Sequence, residues 1–131
     1  MAQLMSTEIV TLELSESTTD AIDLVAEALH EYLYANGQDK PQYILLDIRR
    51  CDLDALRHII LHMREILGMY NTGIQSCFAL VINHNIIPDI ADALLKTMAQ
   101  RHCLYHFAHV QKAEQWLNLE MAKYQRKQAQ R

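Results

Sequence analysis

Tyr43-Ile44-Leu45-Leu46-Asp47-Ile48 is the stretch whose reading decides the fold. Ile44, Leu45, Leu46 and Ile48 are interrupted only by Asp47, so the segment lacks the alternation of a strand with one wet face. A short unbroken apolar run of this kind suits a central parallel strand covered on both sides. A helical pattern starts almost at once, near Asp52: Leu53, Leu56, Ile59, Ile60, Met63, Ile66 and Leu67 recur at intervals of three and four. In doubly covered sheets, recognition and chemistry gather at the strand ends and in the loops that follow them, so residues 47–57 are where a site is expected.

Working outward, residues 8–14 alternate Ile9, Leu12 and Leu14 with Glu8, Thr11 and Glu13, the period of an edge strand with one solvated face, with a short partner strand at residues 3–5. Thr19 or Asp20 then caps a helix whose stripe is Ala21, Ile22, Val25, Leu29 and Leu33, with Asp23 in its first turn. Asn36-Gly37 stops it. On the far side, residues 68–73 end the second helix and Cys77-Phe78-Ala79-Leu80-Val81-Ile82 reads as another buried strand. Asn83-His84-Asn85 makes a turn, and Pro88 opens a helix carrying Ile90, Ala91, Leu94, Leu95 and Met98. Leu104-Tyr105-His106-Phe107 is a short, more polar strand near an edge, and Val110, Ala113, Trp116, Leu117 and Met121 mark a last helix. The alternation of strands and helices with short connections predicts an α/β fold: a single, mostly parallel sheet of four to five strands covered by four helices.

The chain has 131 residues, half of them hydrophobic, which fits one domain over residues 1–131 with its core at about residues 8–118. Beyond that core, Lys123, Arg126, Lys127 and Arg131 make a basic helical tail whose cations suit a helix C-terminus. Twelve basic against sixteen acidic residues, a net charge of −4, argue against a general nucleic-acid binder. Cys51, Cys77 and Cys103 are odd in number and form no Cys-x-x-Cys, which points to reduced thiols and a cytoplasmic location. No segment has the basic start of a signal peptide or approaches about 18 consecutive apolar residues, so a soluble, unexported chain without a transmembrane segment is expected.

Glu8-Ile9-Val10-Thr11-Leu12, the strand around Leu45, the helix over residues 53–67, the strand over residues 78–82, and Tyr105-His106-Phe107 with Ala113-Glu114-Gln115-Trp116-Leu117 together resemble a STAS domain. That is the fold of bacterial anti-sigma-factor antagonists and of the cytosolic tails of sulfate transporters. The chain is especially similar to the stand-alone branch grouped with lipid-carrier-like folds. The resemblance implies a non-enzymatic regulatory module, without cofactors, that binds a protein such as an anti-sigma or kinase-like regulator. In phosphorylatable members the loop after the second buried strand ends in Asp-Ser-Ser-Gly, whose Ser is the phosphoacceptor. Here the segment is Asp47-Ile48-Arg49-Arg50-Cys51-Asp52-Leu53-Asp54-Ala55-Leu56, which keeps the strand-end Asp47 and contains no Ser, Thr or Gly. Asp52 and Asp54 offer fixed negative charge in place of a phosphate; equally, Asp52 caps the helix and Asp54 lies in its positive first turn.

The expected partner face comprises Asp47, Arg49, Arg50, Asp52, Asp54, Arg57 and Arg64, a mixed-charge rim suited to protein recognition. The alternative is a small apolar-ligand, lipid-like or membrane-surface binder, suggested by the lipid-carrier-like branch and the basic tail. A cysteine-dependent enzyme is the remaining class. Cys51 and Arg57 have the Cys-x5-Arg spacing with which tyrosine phosphatases cradle phosphate, but the five intervening residues contain no Gly and two carboxylates. A helix start would lower the pKa of Cys51 and make it a reactive thiol. His58 and His62, four apart on one helical face, have a spacing that holds metal, yet no third ligand follows from the sequence and no metal is expected. His102, His106 and His109 gather near the last strand. Tyr32, Tyr34, Met69 and Tyr70 are expected to be exposed beside an edge strand, favouring a homodimer. Gly-rich phosphate loops, a nucleophile elbow and a Ser-His-Asp pattern are absent from the sequence, and Asp47 is expected to brace the following loop.

Overall fold

Strands and helices alternate along the chain: β1 (Ile9–Glu13), α1 (Thr19–Asn36), β2 (Tyr43–Asp47), α2 (Leu53–Met69), β3 (Cys77–Val81), α3 (Pro88–Lys96), β4 (Cys103–Phe107) and α4 (Val110–Ala129). The structure, a computed structural model, describes residues 9–36, 40–69, 76–96 and 103–129. The strands form one sheet in the order β1-β2-β3-β4, with every neighbouring pair parallel. The α/β class, the parallel sheet and the four helices are therefore as the sequence pattern predicts. The expected fifth strand at residues 3–5 and the end of the third helix at Met98 lie outside the described residues.

Every residue of β2 and β3 is buried, which is why neither run alternates. Their side chains nevertheless point alternately to two faces. Ile44 and Leu46, paired with Phe78 and Leu80, face the layer made by α1, α2 and α3. Tyr43 and Leu45, paired with Cys77 and Ala79, pack with Val81 against Ala113 and Leu117 of α4. Three helices thus cover one side and a single helix the other. A helix about 10 Å across cannot span four strands spaced about 4.8 Å apart, so α4 sits over the middle of the sheet and the outer positions stay wet. Thr11 and Glu13 of β1 and Tyr105 of β4 are exposed for that reason. Both strands are edges, as their mixed composition predicts.

The sheet ladder runs on past the strands, because Leu14 N–H donates to Asp47 O, Ile48 N–H to Val81 O and Ile82 N–H to Phe107 O, each at 2.9 Å. All four C-terminal strand ends are held level at one edge by these bonds. The helix caps are local. Thr18 Oγ1 accepts from Ala21 N–H at 3.2 Å, so the cap of α1 falls one residue before Thr19 and two before Asp20, the caps expected from sequence. Asp52 Oδ1 accepts from Ala55 N–H at 2.8 Å and caps α2 as expected, and Pro88 opens α3 where its missing N–H costs nothing. At the opposite edge, buried Gln42 is satisfied by Tyr32, whose hydroxyl donates to Gln42 Oε1 at 2.6 Å, and by Ser76, whose Oγ accepts from Gln42 N–H at 2.8 Å.

Leu46 and Ile60 lie in the same core cluster beneath the three-helix layer. Truncating either to Ala should cost about 2–5 kcal/mol, read as a lowered urea midpoint with an unchanged slope.

Candidate functional site

The level strand ends place the loop after β2 beside β1 on one flank and beside the turn after β3 on the other. Asp47 is the only charge within the buried central run, and it is 8% exposed. A carboxylate in that position needs a partner. Arg49 provides it through Nε to Oδ1 at 2.8 Å and Nη2 to Oδ2 at 2.7 Å, while Arg49 N–H lies 3.4 Å from Oδ1. The bidentate clamp closes the chain on itself over two residues, which is the bracing role expected of Asp47. The Arg49 hydrogen bonds hold the Asp47 carboxyl below its ordinary 3.8 against the opposing effect of burial.

Two depressions flank this loop. Glu13, Leu14, Asp47, Arg49 and Arg50 line a polar one of about 250 Å³. Leu53, Ile86, Ile87 and Ile90, with Asp52 and Asn83, line an apolar groove of about 370 Å³. Ile87 is 58% exposed there, and Asn83 fixes the turn by accepting from Asn85 N–H through Oδ1 at 2.8 Å. Ile86 and Ile87 were not singled out from the sequence, because they stand in a connection between elements where periodicity carries no signal.

The predicted face is brought together only in part. Asp47, Arg49, Arg50 and Asp52 converge in the loop; Asp54 and Arg57 form an exposed pair at 4.0 Å on the first turns of α2. Arg64 lies on the same helix, exposed, about 10 Å further along the axis. Both carboxylates offered as a phosphate substitute are exposed, but Asp52 is engaged as a cap through Oδ1 and Asp54 lies 4.0 Å from Arg57.

The surroundings of Cys51 do not favour the reactive thiol expected there. Its residue is 1% exposed, and burial, with Asp52 close by, pushes the thiol up from 9.0 to about 11. Desolvation outweighs the helix start, and the guanidinium of the Cys-x5-Arg pattern is paired with Asp54 instead. The other two cysteines, distant in sequence, are register partners on β3 and β4. Cys77 is raised by its hydrogen bond to Cys103 and by burial.

The histidines also regroup. Asp23 of α1 meets His58 and His62 of α2, supplying a third donor that the sequence did not reveal. His106 Nε2 lies 2.6 Å from Asp92 Oδ1 of α3, linking β4 to that helix, while His102 lies outside the described residues. Of the aromatic and apolar groups expected at the surface, Tyr34 and Met69 are exposed. Tyr32 is instead half-buried against Gln42, and Tyr70 lies outside the described residues.

No helix among the described residues is long and apolar enough to cross a membrane. No family model, curated protein or solved structure matches this chain. Fold and site together define an α/β protein with a four-stranded parallel sheet whose strand ends carry a clamped, arginine-bearing loop between a polar and an apolar depression.

A carboxyl held below its ordinary value contributes stability that is complete above that value and is lost as pH falls through the folded one. Asp47→Asn should therefore be less stable than the parent at neutral pH, and the gap should close as pH drops below the ordinary 3.8. Urea unfolding followed across that range checks both the sign and the window.

Proposed function

We propose that this chain is a non-enzymatic, STAS-like recognition module that docks a cytoplasmic protein partner across the C-terminal strand ends. The exposed Ile87 in its apolar groove carries this reading. An apolar centre of Leu53, Ile86, Ile87 and Ile90 lies next to a loop bearing Arg49 and Arg50, with Asp54 and Arg57 on the following turns, which is the apolar-core, charged-rim make-up of a protein interface. The Asp47–Arg49 clamp supports it further, since a loop already held in place loses less freedom on binding. The charge of Arg49 is matched by Asp47, so exposed Arg50 is the arginine of this loop that favours an acidic contact on the partner. With no Ser, Thr or Gly between Asp47 and Leu56, binding at this loop is not switched by a phosphoserine of its own. An anti-sigma or kinase-like regulator is the partner class the STAS resemblance suggests.

A second reading rests on the same groove. Its apolar lining and about 370 Å³ fall at the small end of ligand pockets, so a compact apolar molecule is the competing occupant. Native mass spectrometry of freshly purified protein separates the two: a co-purifying small molecule favours the ligand, and a bare chain favours the protein partner.

Affinity capture with the parent chain, Ile87→Asp and Arg50→Glu tests the main reading. A protein retrieved by the parent should fall by at least about 10-fold with each variant, the loss expected for a core contact or a reversed rim charge. Capture of nothing, or of proteins indifferent to both changes, sinks it.

A further inference from the structure

We propose that Asp23, His58 and His62 form a binding site for a borderline divalent transition-metal ion of the zinc class, bridging α1 to α2. The site lies on the seam between these helices, apart from the strand-end groove, and does not depend on the function proposed above.

The geometry carries the assignment. His62 Nε2 is 3.2 Å from Asp23 Oδ1 and 3.2 Å from His58 Nε2, and His58 Nε2 is 3.7 Å from Asp23 Oδ1. Tetrahedral zinc with bonds of about 2.0–2.2 Å places its donors about 3.3–3.6 Å apart, and the three observed separations bracket that range. The point equidistant from the corners of this triangle lies about 2.0 Å from each, a zinc–nitrogen or zinc–oxygen bond length. The imidazole rings approach edge to face with centroids 4.6 Å apart, both presenting Nε2 to the same carboxylate.

Hydrogen bonding serves this triangle less fully than a cation would. Each Nε2 carries at most one hydrogen. If both are protonated and donate to Asp23, the two N–H groups face each other; if one donates to the other ring, a lone pair is left against the carboxylate. Only a His62 N–H shared between Asp23 and His58 serves both 3.2 Å contacts, and it leaves the His58 lone pair facing the carboxylate at 3.7 Å, whereas a cation at the centre uses all three lone pairs. Two imidazoles and a carboxylate are the donors that zinc, cobalt(II) and nickel(II) accept. Asp23 is exposed and both histidines are half-buried, so the fourth position is open to solvent.

The test is zinc titration of EDTA-treated full-length protein by calorimetry, with cobalt(II) absorption as the geometric probe and the thermal midpoint as an independent readout. The parent chain should take one ion, give the intense visible bands of tetrahedral cobalt and melt higher with zinc present. His58→Ala and His62→Ala should each weaken binding by at least about 10-fold and lose the zinc-dependent rise in midpoint, while Asp23→Asn weakens it less. Circular dichroism and the metal-free midpoint establish that the variants fold. The proposal is overturned if the parent binds no zinc, or if binding and the midpoint rise survive in the His58→Ala/His62→Ala double variant. That second result would place the ion at other histidines, such as His106 beside Asp92.

Discussion

The structure depends on two-sided burial of β2 and β3. Neither strand has a water-facing residue, so each face of the sheet centre must be roofed by helix. The roofing is unequal: α1, α2 and α3 share one side, and α4 alone closes the other. From that inequality follows the character of the margins, where β1 and β4 combine core-facing residues with Thr11, Glu13 and Tyr105 in water. Because all strands run parallel and their terminal amides continue the ladder, the loops after β2 and β3 emerge side by side. The candidate site is a consequence of the same arrangement that buries the core.

Burial also governs the chemistry near that site. Asp47 keeps its charge at the end of a dry strand only because Arg49 satisfies both carboxylate oxygens, and the exposed arginine is in turn held by the carboxylate. Cys51, four residues further on, receives no such help. Its position at a helix start would activate it in water, but within the core the cost of desolvating a thiolate dominates. Proximity in sequence therefore separates into a clamp that shapes the surface and a thiol that packs beneath it.

Polar groups between layers follow a different rule, meeting where helices and strands from distant parts of the chain abut. Tyr32 and Ser76 satisfy Gln42, His106 pairs with Asp92, and Asp23 joins two histidines across the α1–α2 seam. These contacts are half-exposed for the most part, so they add directional links between elements whose main attraction is non-directional apolar burial.

Much of this was legible in the sequence because the relevant signals are local. An unbroken apolar run marks a doubly covered strand, a three-and-four interval marks a helix face, and Asp52 and Pro88 sit where a helix start needs them. Periodicity states that a residue points inward; it does not state what it meets. The order β1-β2-β3-β4, the division of helices between the faces, the burial of Cys51, the union of Leu53 with Ile86, Ile87 and Ile90, and the meeting of Asp23 with His58 and His62 required the chain to close on itself. Each of these is a contact between segments far apart along the backbone. Its partners are selected by how whole helices pack on the sheet, a property that no single window of residues contains.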